Sequence, residues 1–386
     1  MKCATAKNGW KTENGNVHFY KNSKIQTGWV VDSSYKNYGL QRYWMGAYGN
    51  LVSGGKIVNV DRQGYLTYCS KAGYVARNKF KDTDGKFYLA DNGGKLETTT
   101  GWLVIKKYDV GWQRYYIDAS SHSVKLGFFK VDGNLYHGDG NQGYVVRGKT
   151  RYGNGMLLSN NDGILYTKAG WLITGDYDGG GLQRYYIDSS CAGYAGAHLG
   201  EFWVNSSCYF GLWDQGYVQR NCFRIRNDEI WWSNNDGVQT YYAKKCCGDD
   251  NVNFRIAYLW KDTMGGLYGD NAKRAFDYVK NFRYISGSLW PSGDWAPSMA
   301  IEMLNNGGGN CYRFAALFTM MIRAAGYSAN AIAGYHNYGG VTYAHGWCEV
   351  YSGGQTYVCD PDGAHEQPGR NWYWVTYGNA PLAYRK

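Results

Sequence analysis

The sequence predicts a protein of two parts, an all-β array of hairpin repeats followed by an α+β domain. Short sequence markers recur in the same order, with a period of about seventy residues, through the first 240 residues. Beyond that point the markers stop, and all five prolines of the chain fall in the last hundred residues. A helical pattern and then three strand patterns follow, which is typical of an α+β domain. We therefore predict hairpin repeats over residues 1–247 and a second domain over residues 248–386.

Three repeat units span about residues 27–97, 100–166 and 169–240, and a partial unit precedes them. Each unit contains Gly-Trp, then Gln-Arg-Tyr, then Gly-Tyr-Val, and finally Asp-Gly. These markers begin at Gly28, Gln41, Gly73 and Asp84 in the first unit, at Gly101, Gln113, Gly143 and Asp162 in the second, and at Gly170, Gln183, Gly216 and Asp236 in the third. Between the markers, short runs of Tyr, Trp, Val and Ile alternate with Asn-Gly, Asp-Gly and Gly-Gly turns, which is the pattern of β-hairpins. Such hairpins bury their aromatic faces by stacking on their neighbours.

The order of Gly-Trp, a Tyr-Tyr pair and an Asp-Gly or Asn-Gly turn resembles the cell-wall-binding repeats of Gram-positive surface proteins, which include choline-binding and glucan-binding modules. This resemblance covers about residues 8–240. It implies that aromatic side chains bind an anionic or choline-bearing wall polymer or a glycan, since an aromatic cage attracts a quaternary ammonium group. The candidate ligand-binding residues are Trp29, Tyr43, Trp102, Tyr115, Trp171 and Tyr185. The alternative is that these aromatic residues only pack the hairpins.

The chain departs from the choline-binding pattern, which prefers tryptophan before the Tyr-Tyr pair, because Arg42, Arg114 and Arg184 stand in that place. This difference favours an anionic or glycan ligand. Residues 248–386 carry as many acidic as basic residues, so the whole formal charge of +10 lies in the first 247 residues. A basic half suits a polyanionic partner. We predict a wall polymer rather than nucleic acid, because Tyr and Gly are abundant and no helix-turn-helix or zinc-finger pattern occurs.

The sequence contains no run of eighteen apolar residues, so we predict no membrane span. The N-terminus, from Met1 to Ala4, lacks the apolar stretch of a signal peptide, so the chain is either cytosolic or separated from its signal. The resemblance to wall-binding repeats favours a secreted, wall-associated protein. The ten cysteines, among them the vicinal Cys246 and Cys247, form no Cys-x-x-Cys pair, and we predict neither a metal site nor a cofactor.

The second domain contains two predicted helices and three predicted strands. One helix covers residues 271–282 with Asp270 as its N-cap. The other covers residues 313–325, because apolar residues recur there at helical spacing, and Gly326 ends it. The predicted strands cover residues 328–335, 343–351 and 355–360, with a Gly353-Gly354 turn between the last two.

Cys311 stands where the second of these helices begins. The N-terminus of a helix presents free N–H groups and a partial positive charge, which stabilise a thiolate and an oxyanion. The preceding glycines, Gly307 to Gly309, let the chain turn sharply and admit a substrate close to the sulfur. Taken alone, a cysteine is more often a buried structural residue.

His345 and Asp360 make a catalytic role for this cysteine the better interpretation. They lie on consecutive predicted strands, in which paired residues have a constant index sum. The Gly353-Gly354 turn sets this sum near 707, and the indices of His345 and Asp360 add to 705. The two residues are therefore within about one step of facing each other, so Asp360 can orient the imidazole toward the thiol.

The segment from Gly309 to Ala315, the His-Gly-Trp-Cys-Glu run from His345 and then Asp360 resemble the transglutaminase-like superfamily over about residues 250–386. This resemblance implies a papain/transglutaminase-like α+β fold in which Cys311 is the nucleophile, His345 the general base and acid, and Asp360 the orienting carboxylate. Members also use an upstream side chain near the oxyanion, for which Trp290 and Trp295 are the candidates. The rival histidines His336 and His365 lie in loops rich in Gly, Asn and Gln, and we predict that both are solvated.

These residues predict acyl transfer through a thioester on Cys311. With water as acceptor the enzyme would be a cysteine peptidase or amidase of a peptide or protein substrate, and with an amine it would be a transglutaminase that cross-links surface proteins. We favour the hydrolase, because the resemblance implies that bacterial members fused to wall-binding modules act as peptidases or amidases. A wall-bound adhesin with a silent domain is the third interpretation, and the complete Cys-His-Asp set speaks against it.

Overall fold

The computed structural model describes residues 6–386, except residues 62–63, 178, 180, 192–193 and 288–289. Cys3 lies outside these described residues, and the other nine cysteines are free thiols. The chain forms two compact units. The first comprises Met1–Leu199 and Trp213–Tyr217, and the second comprises Gly200–Leu212 and Val218–Lys386.

Short antiparallel strands make up the repeat region of the described chain. They are β1 (Gly9–Glu13), β2 (Asn16–Lys21), β3 (Lys24–Ile25), β4 (Gly28–Asp32), β5 (Gln41–Met45), β6 (Lys56–Asn59), β7 (Leu66–Cys69), β8 (Lys79–Lys81), β9 (Phe87–Leu89), β10 (Gly101–Ile105), β11 (Gln113–Ile117), β12 (Gly127–Val131), β13 (Asn134–Gly138), β14 (Gly148–Tyr152), β15 (Gly155–Ser159), β16 (Gly170–Thr174), β17 (Gln183–Asp188), β18 (Gly196–His198), β19 (Gly200–Val204), β20 (Ser207–Gly211), β21 (Cys222–Arg226), β22 (Glu229–Ser233) and β23 (Gln239–Lys244).

Each repeat unit of the sequence consists of three hairpins, and the predicted all-β hairpin array is confirmed. The first unit holds β4–β5, β6–β7 and β8–β9, the second β10–β11, β12–β13 and β14–β15, and the third β16–β17, β19–β20 and β21–β22. In the closing Asp-Gly marker of each unit only the glycine has a positive φ angle, 83° at Gly85 and Gly163 and 86° at Gly237, whereas in the turn between β12 and β13 both Asp132 and Gly133 do, at 49° and 79°. Two successive positive φ angles are the geometry of a type I′ turn, which Asp-Gly favours.

The sequence markers recur together because they contact one another. In the second unit, the Val145 N–H donates to the Arg114 carbonyl over 2.7 Å, and the Arg114 guanidinium lies 4.2 Å from the centre of the Trp102 ring. The same guanidinium donates to the carbonyl oxygen of Asp162 over 2.6 Å and to its carboxylate over 2.9 Å. One arginine therefore joins the opening tryptophan of the unit to its closing turn.

The second compact unit adds helices and seven further described strands to the last hairpins. The α-helices are α1 (Asp250–Tyr258), α2 (Asn271–Val279), α3 (Ala296–Asn306), α4 (Cys311–Ala324) and α5 (Pro361–Glu366), with a π-helical turn at Leu259–Thr263 and a 3₁₀ turn at Tyr377–Asn379. The strands are β24 (Arg283–Tyr284), β25 (Gly308–Gly309), β26 (Ser328–Tyr338), β27 (Val341–Ser352), β28 (Gln355–Cys359), β29 (Val375–Thr376) and β30 (Ala383–Arg385). Among the described helices, none has the length and apolar character needed to cross a membrane.

The second unit has an α+β core, as predicted. Its main sheet has the order β29-β28-β27-β26-β30, and the almost completely buried α4 packs on β26 and β27. The last hairpins share this core, because Phe223 and Ile230 belong to the same buried cluster as Trp260 and Phe318 of the helical part. The domain boundary predicted after residue 247 stays a prediction, whereas the buried core of this unit begins with the hairpin strands from Gly200 on.

The predicted elements around the site correspond closely to the structure. Asp270 caps α2 by accepting from the Lys273 N–H, and Gly326 follows α4 with a φ of 95°. Cys348 pairs with Cys359 across β27 and β28, which gives the predicted index sum of 707. Strand β26 continues three residues beyond its predicted end, and α1 and α3 were not predicted.

Candidate active site

Cys311 is the first residue of α4, and Asn310 is the N-cap of this helix. The Arg313 side chain forms an ion pair with Glu302 of α3, with 2.7 Å between Nη2 and the carboxylate, which fixes the start of α4 against its neighbour. The first N–H groups of a helix have no partner within the helix. They therefore provide hydrogen-bond donors and a partial positive charge beside the thiol, as the sequence predicted.

His345 reaches the thiol because the residue after it is glycine. A Cβ atom on Gly346 would lie 2.8 Å from the Cα atom of Tyr312, so only glycine lets β27 approach the first turn of α4 this closely. A nitrogen of the His345 imidazole consequently lies within 4.8 Å of the Cys311 sulfur. The His-Gly pair of the sequence motif is thus a geometric requirement of the site.

Asp360 is completely buried and holds the imidazole from the other end. Its Oδ2 accepts hydrogen bonds from Nε2 of His345 over 2.8 Å and from the Tyr384 hydroxyl over 2.6 Å. Its Oδ1 accepts from the Gly363 N–H over 2.9 Å, because Asp360 is also the N-cap of α5. Since a carboxylate only accepts, Nε2 carries a hydrogen and Nδ1 is left for the thiol.

The electrostatics of this pair favour a charged imidazole. Burial opposes the charge, but the Asp360 carboxylate and then Cys311 outweigh it and raise the pKa of His345 well above its ordinary value. For Asp360 burial again acts against the ion, and the charge and hydrogen bond of His345, helped by Gly363 and Tyr384, lower its pKa. The pair is therefore arranged as an imidazolium beside a carboxylate, which is the state that stabilises a neighbouring thiolate.

A cavity of about 300 Å³ opens onto the thiol. Cys311 and His345 lie in its wall, together with the aromatic side chains of Tyr284 and Tyr343, which are 41% and 48% exposed. Exposed aromatic rings beside a buried thiol provide an apolar surface for a substrate chain.

His336 lines the same cavity, contrary to the prediction that it is solvated in a loop. It lies on β26 opposite Tyr343 and is half-buried, with its ring centre 5.0 Å from that of His345. Burial and the nearby His345 charge lower the pKa of His336, so its imidazole is held neutral. The Gly339-Gly340 turn was the missed signal, because it extends both strands and sets the register that brings His336 beside His345.

The second rival histidine lies elsewhere. His365 is an exposed residue of α5 rather than of a loop, and its Nδ1 hydrogen-bonds to the carbonyl oxygen of Lys280 over 2.9 Å. Its ring also contacts Phe314, with 5.7 Å between the ring centres. His365 is therefore exposed as predicted, but it belongs to a helix surface.

Sequence reasoning also missed Asp362, a second buried carboxyl group of the cavity. One oxygen of Asp362, the Cys311 sulfur and a nitrogen of His345 lie within 4.8 Å of one another. The index sum of 707 could have found this residue, because 345 and 362 add to that sum.

The two oxyanion candidates lie near Tyr312, the residue after Cys311. The Trp290 and Trp295 rings each lie 6.0 Å from the Tyr312 ring, and Trp290 also stacks on Tyr335 at 5.1 Å. Trp290 is 47% exposed, whereas Trp295 is packed against the core. An oxyanion role for either tryptophan stays a prediction.

The rest of the His-Gly-Trp-Cys-Glu motif is structural. Trp347 is completely buried, and its indole N–H donates to the Tyr377 hydroxyl over 3.0 Å. That hydroxyl in turn donates to the buried Glu349 carboxylate, which also pairs with Lys386 over 2.8 Å. These contacts join β27, the strand that carries His345, to Tyr377 and Lys386.

The repeats place their candidate ligand residues differently from the prediction. Three of them, Tyr43, Tyr115 and Tyr185, have no exposed surface and are core residues, so they are unable to contact a polymer. The other three are partly exposed, but an arginine covers each ring. The distances from guanidinium to ring centre are 4.0 Å for Arg42 on Trp29, 4.2 Å for Arg114 on Trp102 and 4.4 Å for Arg184 on Trp171.

Two groups of metal-ligand side chains come together within the described residues. One is Cys311, His345 and Asp362, and the other contains Asp188 and His198. The first group occupies the cavity wall and includes the imidazole that Asp360 orients, so we assign it to chemistry at the thiol. In the second group the Asp188 carboxylate accepts from Ser190 and lies 3.8 Å from His198, which is the geometry of a local turn.

A helix-terminal thiol that faces an imidazole and a buried carboxylate on an antiparallel sheet defines an α+β domain with a Cys-His-Asp site. Residues 261–374 match the family model of the transglutaminase-like superfamily, so this part of the chain is a transglutaminase-like domain. The stretch includes Cys311, His345 and Asp360. No curated protein matches the chain.

Among solved structures, the chain is similar to proteins with choline-binding repeats. Choline binding protein F from Streptococcus pneumoniae is 16% identical, and the match covers 61% of this chain and 92% of that one, with a TM-score of 0.30. The choline-binding domain of CbpL from the same organism is 19% identical, with coverages of 61% and 97% and a TM-score of 0.25.

Proposed function

We propose that the chain is a secreted, cell-surface cysteine acyl-transfer enzyme that hydrolyses amide bonds and is held at the cell wall by its hairpin repeats. The observation that carries this proposal is the buried arrangement of Cys311, His345 and Asp360 at one end of a cavity. Every group needed for a thioester mechanism is present there with a defined role.

The reaction would proceed in two steps. The Cys311 thiolate attacks the amide carbonyl carbon and forms a C–S bond, while Nδ1–H of the His345 imidazolium protonates the departing nitrogen and the C–N bond breaks. His345, now neutral, then takes a proton from water as the water oxygen attacks the thioester carbon and the C–S bond breaks, which releases the acid and restores the Cys311 thiolate beside the His345 imidazolium. Asp360 keeps the ring oriented through both steps, and the N–H groups at the start of α4 stabilise the oxyanion.

A transglutaminase would use the same acyl-enzyme with a primary amine in place of water. Mass spectrometry of Gram-positive sacculi and surface peptides, incubated with the full chain and a labelled primary amine, separates these reactions. We expect new carboxyl ends without label, and Cys311→Ala provides the blank. Label joined to glutamine or to a cut peptide would identify a transferase, and no product above the blank would favour a silent adhesin.

We further propose that the repeats concentrate the catalytic unit at wall-bound substrate by tethering. A chain of residues 200–386 keeps the last hairpins, because Phe223 and Ile230 belong to the core of the catalytic unit. We expect this chain to turn over a small soluble substrate within about twofold of the full chain and to turn over sacculi at least about tenfold more slowly. Equal losses on both substrates would contradict tethering.

The arginine-covered tryptophans lead to an expectation about the wall ligand. Because the guanidinium of Arg114 already fills one face of Trp102, free choline has no open cage there and should not displace the full chain from sacculi. The formal charge of +10 should instead make binding fall as salt rises. Sedimentation of sacculi with bound protein, in increasing NaCl or choline chloride at matched ionic strength, measures both effects. Greater release by choline chloride than by NaCl would contradict this expectation.

A further inference from the structure

The cavity contains a buried carboxyl group that the thioester mechanism does not use. Asp362 lies at the second position of α5 and is 2% exposed. Its Oδ2 is 4.0 Å from Nδ1 of His345, and an oxygen of Asp362 is within 4.8 Å of the Cys311 sulfur. Its Oδ1 is buried and has no hydrogen-bond partner among the described residues. Within the described part of the chain, Asp362 therefore has one buried acceptor oxygen without a partner, Oδ1, and a second oxygen, Oδ2, that lies beside the imidazole.

A carboxyl group is energetically unfavourable at this position, so its presence there points to a functional role. Burial, and then the nearby carboxylates of Asp360 and Glu366, raise the pKa of Asp362 to about 8, against the opposing effect of His345. Because the folded chain holds this proton more tightly than the unfolded chain, the stability that it contributes is present below about pH 4 and is lost as the pH rises toward 8. The buried carboxyl group of Asp362 therefore lowers the stability of the folded chain at neutral pH. Destabilising groups of this kind are typical of functional sites.

We propose that Asp362 is a further catalytic residue, whose carboxyl group accepts a hydrogen bond from the nitrogen atom that leaves or enters at the acyl carbon on Cys311. This inference rests on the proposed acyl transfer at Cys311. A carbonyl carbon bonded to the sulfur places its nitrogen substituent beside the Nδ1 that exchanges the proton with it, and Oδ2 of Asp362 is the carboxyl oxygen 4.0 Å from Nδ1. The carboxyl group offers an acceptor oxygen in both its neutral and its ionised form.

The role of Asp362 is tied to the charge on the nitrogen. When the C–N bond breaks, the proton from His345 goes to nitrogen and the departing group becomes an amine, which takes up a further proton from water to become an ammonium ion. When an amine attacks the thioester, its nitrogen gains positive charge as the C–N bond forms and the C–S bond breaks. Above about pH 8, where Asp362 is ionised, it stabilises that charge together with Glu366, which also lies in the cavity wall. The acidic wall therefore suits substrates whose reacting nitrogen belongs to a basic primary amine, rather than to a weakly basic one.

The test separates steps that involve nitrogen from steps that do not. p-Nitrophenyl acetate acylates a thiol with loss of p-nitrophenolate, which needs no proton, and the acetyl-enzyme then reacts with water, methanol or methylamine. The initial burst of p-nitrophenolate measures the rate of acylation. In the full chain with Asp362→Ala, we expect this rate and the rate of the acetyl-enzyme with methanol to stay within about threefold of those of the unsubstituted chain. The second-order reaction with methylamine should fall about tenfold, because one hydrogen bond to a developing charge is lost.

Two further variants make the result specific to the carboxyl group. The reactions are measured above about pH 8, where Asp362 is ionised. Asp362→Asn keeps the shape and one acceptor oxygen without the negative charge, so its methylamine reaction should lie between those of Asp362→Ala and the unsubstituted chain. Asp262→Asn makes the same chemical change at an exposed residue outside the cavity and should change none of the three reactions.

An unchanged methylamine reaction in both Asp362 variants, or equal loss of the burst, methanol and methylamine reactions, would overturn the role of Asp362. In either case a burst that still depends on Cys311 would leave the proposed acyl transfer intact. A burst that persists in Cys311→Ala would overturn both proposals together.

Discussion

Replacing Cys311 by alanine should lower the acylation of the full chain by p-nitrophenyl acetate by at least about a thousandfold, because no other group in the cavity is a nucleophile of comparable strength. The fold should be kept, since the substitution removes one atom from a side chain that already borders the cavity. Stopped-flow measurement of p-nitrophenolate gives the rate, and the intact mass shows whether an acetyl group is added. The melting temperature should stay within a few degrees of the unsubstituted chain.

Cys247 provides a matched control for this experiment. A hydrogen bond from the Cys246 thiol lowers the pKa of Cys247 to about 7. Cys247 is partly exposed and lies outside the cavity. Cys247→Ala should therefore leave the acetyl burst unchanged, even if Cys247 reacts slowly with alkylating reagents. Loss of the burst in Cys247→Ala and its survival in Cys311→Ala would make Cys247 the nucleophile.

The juxtaposition of Cys311, His345 and Asp360 was predictable because local rules determine each of its parts. Helical spacing after Cys311 predicted α4, and a two-glycine turn determined the register of β27 and β28, which brings His345 to Asp360. These signals depend on nearby residues in the chain. The close approach of β27 to α4 was not predictable in the same way, because it depends on the absence of a side chain at Gly346 against a helix more than thirty residues away.

His336 and Asp362 were missed for a related reason. The Gly339-Gly340 turn has the same form as the Gly353-Gly354 turn, from which the register of β27 and β28 was predicted. The predicted strand before Gly339 ended too early, at residue 335, and this placed His336 in a loop. Asp362 satisfies the index sum of 707, yet it lies beyond the last paired residue, at the start of α5. Strand register therefore remains informative a few residues past the end of a strand.

In the repeats, composition predicted the hairpins but not the use of each aromatic ring. Tyr115 and Trp102 are one strand apart and equally aromatic, but Tyr115 is completely buried whereas Trp102 is partly exposed beneath Arg114. Packing and ligand binding require the same residue types, so a single sequence does not separate them. The arginine of each Gln-Arg-Tyr marker was the informative feature, and its contacts explain it as part of the repeat structure.

Replacing Asp360 by asparagine should lower the acylation rate by about a thousandfold or more, although the side chain keeps its shape. The amide no longer balances the imidazolium charge, and its NH₂ group turned toward Nε2 would favour the tautomer with hydrogen on Nδ1, where the thiol needs an acceptor. The p-nitrophenolate burst measures the loss, with Tyr384→Phe as a milder variant that removes one hydrogen bond to Asp360. A rate within threefold of the unsubstituted chain would contradict an orienting role for Asp360.

The same substitution should destabilise the fold in a pH-dependent way. The folded pKa of Asp360 is lowered, so its contribution to stability is present above the unfolded pKa of about 4 and is lost as the pH falls below it. The folded pKa of His345 is raised, so its contribution is present below about 6.5 and is lost as the pH rises through the folded value. Both contributions are present together between about pH 4 and 6.5. The melting temperature of Asp360→Asn should therefore lie furthest below that of the unsubstituted chain in this window, and the difference should narrow toward pH 3, because the carboxylate that distinguishes the two chains is then being protonated.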